Sequence, residues 1–382
     1  MAEWTRTLTT TIAQYMRGVE ARLTARQKVM AMLKKTGNII YNSHGTKLSW
    51  AVEYNESPLT VNNGEQVIVP MRVDRYKRPE LEWAGYVVAD MMTKREKLIN
   101  GEGRSQLINY WKEMVKTNTR NIERQFGEEF YVDSSASGNS GRLSGIETMM
   151  AVTGTVDLAT ATFASRSANA VDVCGYPDDT YAGLDTSPQA YGGSWVTSDI
   201  TSAATAANTQ WPAGKGRLSF DFFSPVICNY TSSTFSGSAD TWRQQALEAT
   251  RFLVVHMQRY DAGLTAVKKL FLERSLYRQF LDLQDSKEHM YVESDYSMRA
   301  MGFEDVFMQD GVEITWEWGI PSAVGYGFNF DNIELHSMQE QLFDAREVKF
   351  ESLNNSYHFI VDFMGQIKFR TPKYFGKLAA LA

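Results

Sequence analysis

The stretch that most constrains the fold runs from Ser105 to about Phe130, SQLINYWKEMVKTNTRNIERQFGEEF. Leu107, Ile108, Trp111, Met114, Val115, Ile122 and Phe126 recur at steps of three and four, the period of one helix face. Lys112, Glu113, Lys116, Arg120, Glu123 and Arg124 fall between them. Ser105 follows Gly101 and Gly103 and suits an N-cap. A helix of about 25 residues is about 38 Å long at about 1.5 Å per residue, well beyond the usual ~11 residues. Its apolar stripe is narrow, so it reads as a backbone on which other layers lean.

The flanking segments have different periods. Residues 8–35 alternate apolar positions (Ile12, Tyr15, Met16, Val19, Leu23, Val29, Met30, Leu33) with cations and read as a basic amphipathic helix or arm. Residues 1–36 hold seven Lys/Arg against two acids, a net of +5. Residues 281–351 hold four against sixteen, a net of −12. The whole chain carries only −6, so the asymmetry points to two faces in different electrostatic settings. Arg17, Arg22, Arg26 and Lys28 are the cations of an arm expected to face nucleic acid or to bridge subunits; the alternative is a terminal helix packed on its own domain.

Between residues 37 and 95 the period changes to two. Leu48, Trp50, Val52 and Tyr54 alternate with Ser49, Ala51 and Glu53, and Val67, Val69, Met71 and Val73 alternate with polar positions. Asn62-Asn63-Gly64 lies between them as a turn signal. A long two-stranded ribbon is marginal alone. The apolar side of this one (Leu48, Trp50, Val67, Val69) needs cover from the body of its own chain or from another subunit, and burial mainly between chains is expected. Arg75, Lys77 and Arg78 on the return leg are candidates for ion pairs with a neighbour. Leu81 to Thr93 reads as a third extended stretch.

Residues 134–240 are rich in Ser, Thr, Ala and Gly with dense turn signals, and read as loops with short strands. A helix follows over 240–259, then a strand at 266–272, a helix at 275–283 and a hairpin over 303–318 turning at Asp310-Gly311. A strand begins at Tyr326, and a last extended pair spans Tyr357–Arg370 around Gly365. The reading of the residues is therefore an α+β protein with a ribbon, a long helix and a low-charge insertion.

Catalytic patterns are missing. No GxxxxGK[ST], GxGxxG after a strand, HExxH or GxSxG occurs. His44, His256, His289, His336 and His358 are scattered, with no second ligand at metal spacing. Cys174 and Cys228 make no CxxC and are read as two thiols in a reducing compartment, with one bridge as the alternative. No enzyme activity, cofactor or metal is expected. The chain shows no signal peptide and no apolar run near 18 residues, so synthesis in the cytoplasm without a membrane partner is expected.

Four strings, in order, resemble a known family: Gly37–Tyr54 (GNIIYNSHGTKLSWAVEY), Arg142–Thr155 (RLSGIETMMAVTGT), Gly302–Pro321 (GFEDVFMQDGVEITWEWGIP) and Tyr326–Leu335 (YGFNFDNIEL). Together with the order of elements, they resemble tailed-phage major capsid proteins of the Hong Kong 97 type over roughly residues 37–382. The resemblance implies an α+β capsid fold with an N-terminal helical arm (1–36), an extended loop or β-ribbon with its lead-in (37–95) and a spine helix (96–133). A mainly axial domain (134–345) and a C-terminal β-pair returning to the peripheral domain (346–382) complete it. It also implies self-assembly into hexamers and pentamers of an icosahedral shell in the virion. Its implied partners are a portal protein, possible scaffolding and decoration proteins, and double-stranded DNA held non-specifically. No Lys–Asn cross-linking trio can be assigned, although Lys47 and Lys77 lie in the ribbon. The sequence opens at Met1, so a retained arm is expected over a cleaved one. Encapsulin shells share the architecture and stand as the alternative.

Overall fold

A computed structural model describes residues 27–55, 64, 73–99, 104–150, 174–175, 177, 179–187, 190–191, 218–231, 241–258, 269–285, 306–309, 311–345, 349–352 and 354–380. The long helix is present as α3, Arg104–Glu129. Ser105 sits inside its first turn, two residues past the cap position. α1 (Lys28–Thr36) precedes it, and α2 (Lys94–Ile99) leads into it. α1 stops at Gly37, whose φ of 74° is the left-handed conformation that glycine adopts without a Cβ penalty. There the Asn38 and Gly37 amides donate back to the Leu33 and Lys34 carbonyls.

Two sheets carry the rest. The larger has seven strands in the order β12 (Val306–Gln309), β13 (Val312–Trp316), β11 (Lys269–Leu272), β14 (Val324–Phe328), β19 (Gly376–Ala379), β10 (Val226–Asn229) and β7 (Cys174–Gly175). Its strands read as nearly unbroken apolar runs, the pattern of a sheet covered on both faces. One face meets α4 (Trp242–Met257) and α5 (Arg274–Asp285) through Val226, Cys228, Leu270, Leu272, Val312, Ile314 and Leu378. The other presents Phe271, Tyr326 and Phe328 to the main core. α4 lies close because Gly327 and Gly376 have no side chain. A Cβ on Gly327 would come within 2.6 Å of Met257 Sδ, and one on Gly376 equally close to Leu253 Cδ1.

The second sheet has six strands: β1 (Ile39–Ile40), β15 (Ile333–Ser337), β18 (Ser356–Phe369), β16 (Asp344–Ala345), β17 (Lys349–Glu351) and β6 (Ala84–Thr93). β18 is its axis. Its first ten residues pair with β6, and β17, β16 and then β15 pair with it in turn. α3 covers one face. Phe126 packs edge-on against Tyr86, Phe130, Phe343 and Phe363 at 4.9–6.4 Å, and Ile122 is buried beside it.

Several expectations are met in detail. The 303–318 hairpin is β12–β13, with Gln309 opposite Val312 and Gly311 at φ 80°. Others are corrected. The last extended pair around Gly365 is one continuous strand, β18. Gly365 is needed for close approach, since a Cβ there would meet the His336 carbonyl at 2.3 Å and the Phe363 ring at 2.7 Å. The C-terminal segment also does not return as a pair to one sheet. β18 lies in the six-stranded sheet, whereas β19 closes the seven-stranded one between β14 and β10.

Candidate intersubunit surface

The ribbon leaves the body through two short pairs. β2 (Leu48–Ser49) lies against β5 (Glu80–Leu81), and β3 (Val52–Glu53) against β4 (Tyr76–Lys77). Both share one register, and its midpoint falls between Gly64 and Glu65, beside the Asn-Asn-Gly turn signal. The return leg that pairs with residues 48–53 is therefore 76–81, not the 67–73 stretch. Val67 and Val69 lie outside the described residues, as do Arg17, Arg22 and Arg26 of the arm.

The ribbon base is covered partly by its own chain. Leu48 and Trp50 are half-buried against the main core. The Trp50 indole N–H donates to the Arg370 carbonyl at 2.9 Å, and its ring lies 6.4 Å from Tyr181. Tyr181 belongs to the small hairpin β8–β9 (Thr180–Tyr181, Leu184–Asp185). The Lys77 ammonium stands 4.8 Å from the Tyr54 ring and 5.6 Å from Tyr191, and both rings pack on Phe222. Arg78 donates to the Ser49 hydroxyl at 2.8 Å and approaches Glu80. Arg75 is exposed, with its carbonyl accepting from the Tyr54 amide. Leu48 and Trp50, expected to be buried mainly between chains, are already half-covered within the chain, Trp50 by Tyr181 of the β8–β9 hairpin and by the Arg370 carbonyl just past β18.

Beneath Trp50 lies an ionic cluster. Glu334 on β15 accepts from Lys368 and, at 2.7 Å, from Arg370 Nε. His336 bridges Glu334 and the Ser43 hydroxyl, each at 3.0 Å. Burial pushes the Glu334 carboxyl up, but the His336 and Lys368 hydrogen bonds and the Lys368 and Arg370 charges outweigh it and hold it at about 2. Lys368 also faces the Trp50 ring at 5.7 Å.

Lys28 corrects the arm reading. Its ammonium is buried within its own chain and donates to the Thr315 hydroxyl and, at 2.8 Å, to the Trp316 carbonyl. Its backbone amide donates to Glu317 at 2.9 Å. Glu317, just past the end of β13, thus caps the N-terminus of α1 by accepting from a free N–H group of its first turn. Burial raises the Glu317 carboxyl to about 8 against the pull of Lys28. This ammonium is spoken for and cannot also meet a phosphate. No spacing rule marks the contact, because Lys28 and Glu317 are nearly 300 residues apart.

On the face of the six-stranded sheet away from the core, Asp362, Gln366, Lys368 and Glu334 are buried, and a strip along β6 carries exposed apolar side chains. β6 alternates so that Tyr86, Val88 and Met92 turn inward, while Val87 (64% exposed) and Met91 (56%) turn out. In register, Gly85 is opposite Met364 (47% exposed), Val87 opposite Asp362 and Met91 opposite His358. The run AGYVVADMMT is two-sided, and among the described residues Val87 and Met91 on one side are exposed.

A groove of about 310 Å³ lies between α4 and the β12–β13 hairpin. Among the described residues its lining includes Thr250, Arg251 and Gln309 but no carboxylate, imidazole or thiol. Among the described residues no group of three His, Cys, Asp or Glu is placed to hold a metal ion, and no described helix is long and apolar enough to cross a membrane.

No protein-family model and no curated protein sequence matches the chain. Solved structures do. A chain from the cyanophage A-1(L) capsid superposes with a TM-score of 0.53 at 9% identity over 90% of both chains. The capsid of a native GTA particle gives 0.50 at 9% identity over 92% of this chain and 90% of that one. The capsid of an empty GTA particle gives 0.50 at 10% identity over 92% and 96%. At these identities the likeness speaks to architecture, and it spans nearly the whole of each partner: the chain has the mixed α+β fold of phage-type capsid proteins.

Proposed function

We propose that this chain is the major structural subunit of a tailed-phage-type icosahedral capsid, assembling with copies of itself as hexamers and pentamers around double-stranded DNA. The carrying observation is the fold, shared over nine-tenths of the chain with capsid proteins. The exposed apolar strip along β6 and β18 supports it. A sheet face with Val87, Met91 and Met364 outward is stable in water only at low cost to solubility if other copies cover it. In this reading α3 is the spine helix, the six-stranded sheet with α3 is the peripheral lobe, and the seven-stranded sheet with α4 and α5 is the main part of the axial lobe. The ribbon reaches over a neighbour. Val67 and Val69 supply its apolar contact, and Arg75, Lys77 and Arg78 its charged edge.

Arg17, Arg22 and Arg26 of the arm bind phosphate non-specifically or bridge subunits, anchored by the docked α1. A portal protein, and scaffolding or decoration proteins, are the further partners of this reading, and the virion is the place of action. Many modest contacts acting together would hold the shell while leaving free subunits soluble. Negative-stain electron microscopy of the chain, expressed alone and with its neighbouring genes, tests the reading. Closed shells or six- and five-fold rings are the expected result. A compact monomer under both conditions would overturn it.

A further inference from the structure

We propose that Cys174 and Cys228 form a cross-strand thiol pair that closes into an intramolecular disulfide when the chain meets a two-electron oxidant. β7 and β10 run antiparallel, with Cys174 directly opposite Cys228 and Gly175 opposite Ile227. The chain has only these two cysteines, 54 positions apart, and the fold sets them side by side. Directly opposed residues of an antiparallel ladder have Cα atoms about 4.5–5.5 Å apart and Cβ atoms on one face. A disulfide asks for Cα atoms about 4.4–6.8 Å apart. The register meets that requirement without moving the backbone.

β10 lies inside the seven-stranded sheet between β19 and β7. Cys228 on it is a fully buried free thiol, 3.9 Å from the Ala249 carbonyl under α4. Among the described residues β7 is two residues long and pairs with β10 alone. With an azo oxidant such as diamide, the first thiolate adds to the N=N bond. The second thiolate then attacks that sulfur and displaces the hydrazine. Two S–H bonds are lost, one S–S bond forms, and the two protons and two electrons end on the nitrogens. The bridge ties residues 174 to 228 into one covalent loop and pins β7. In a reducing cytoplasm the pair stays open. Closure after a particle leaves the cell rests on the capsid reading, but the chemistry of the pair does not.

The test uses the full chain, and it reads the same in free subunits, rings or shells, so its failure is separable from failure of assembly. Wild type, Cys174→Ser and Cys228→Ser are treated with diamide, blocked with maleimide after denaturation, and mapped by mass spectrometry without reduction. A second preparation is made in an oxidising bacterial cytoplasm, so that burial of Cys228 does not limit the reaction. The expected result is a linked Cys174–Cys228 peptide pair within one chain, two hydrogens lighter and free of maleimide. Each serine variant keeps one maleimide-reactive thiol. Protease cuts within 175–227 should leave fragments that part only on reduction. Two free thiols in wild type from both preparations, or links only between chains, would overturn the proposal.

Discussion

The two sheets of this protein are built from similar apolar strands but finished differently. The seven-stranded sheet is complete in one chain: α4 and α5 close one face, the main core closes the other, and β10, β11 and β19 are buried at every position. Among the described residues the six-stranded sheet has α3 on one face; the other holds the Glu334–Lys368 ionic cluster and the exposed side chains of Val87, Met91 and Met364. Both read as apolar runs in sequence. In the proposed reading, the exposed strip along β6 is the surface that other copies of the chain close.

The largest effect on the isolated subunit is expected in the finished part. Phe328→Ala removes a ring packed against Tyr131, Phe271, Phe330 and Phe375. It should cost about 3–5 kcal/mol in chemical denaturation of free subunits. A loss under about 1 kcal/mol would mean that this core is not closed as described.

The next effect is a pH dependence at the α1 dock. Glu317 keeps its proton up to about 8 in the fold but ionises near its ordinary 4.5 when unfolded. The unfolded chain loses the proton first, so this group's contribution is whole below pH 4.5 and falls as pH rises to 8, by about 1.4 kcal/mol per pH unit. Glu317→Gln should flatten the stability profile between pH 6 and pH 8. An unchanged slope would remove Glu317 as its source. Glu334 has the opposite sign. Its carboxyl is held at about 2, so its contribution is whole above 4.5 and is lost as pH falls toward 2.

A smaller effect is expected at the ribbon base. Trp50→Ala loses the bond to Arg370 and half-buried ring contact, and should cost the free subunit about 1–2 kcal/mol. If the subunit is unaffected and only assembly suffers, the cover of Trp50 comes from another chain after all. The smallest effect on the subunit should come from the exposed strip along β6. Val87→Lys with Met91→Lys, which set cations opposite Asp362 and His358, should change subunit stability by less than about 0.5 kcal/mol per site, while assembly is lost.

What could be read in the sequence follows from locality. α3, α4, α5 and the β12–β13 hairpin carry their own period, caps or turn glycine, so nearby residues suffice to place them. The contacts that failed to show are those between distant residues. Lys28 looks like an arm cation until Glu317 is brought to it. Gly365 looks like a turn until the His336 carbonyl lies against it. The ribbon's return leg was misplaced because Val67–Val73 alternates more cleanly than Tyr76–Leu81, although the second stretch holds the register with Leu48–Glu53. The pairing of β19 with β10 and β14 is likewise a long-range choice with no local sign. For the candidate surface, the alternation in β6 was visible, but which of its sides is covered depends on where α3 docks.

The most direct test of the account is a side-by-side measurement of wild type and the Val87→Lys, Met91→Lys variant. Each is purified as subunits, melted, and then imaged by electron microscopy under assembly conditions. The account predicts equal melting of the two, shells or rings from wild type, and lone subunits from the variant. Equal assembly by both would show that the exposed strip along β6 is not where copies of this chain meet.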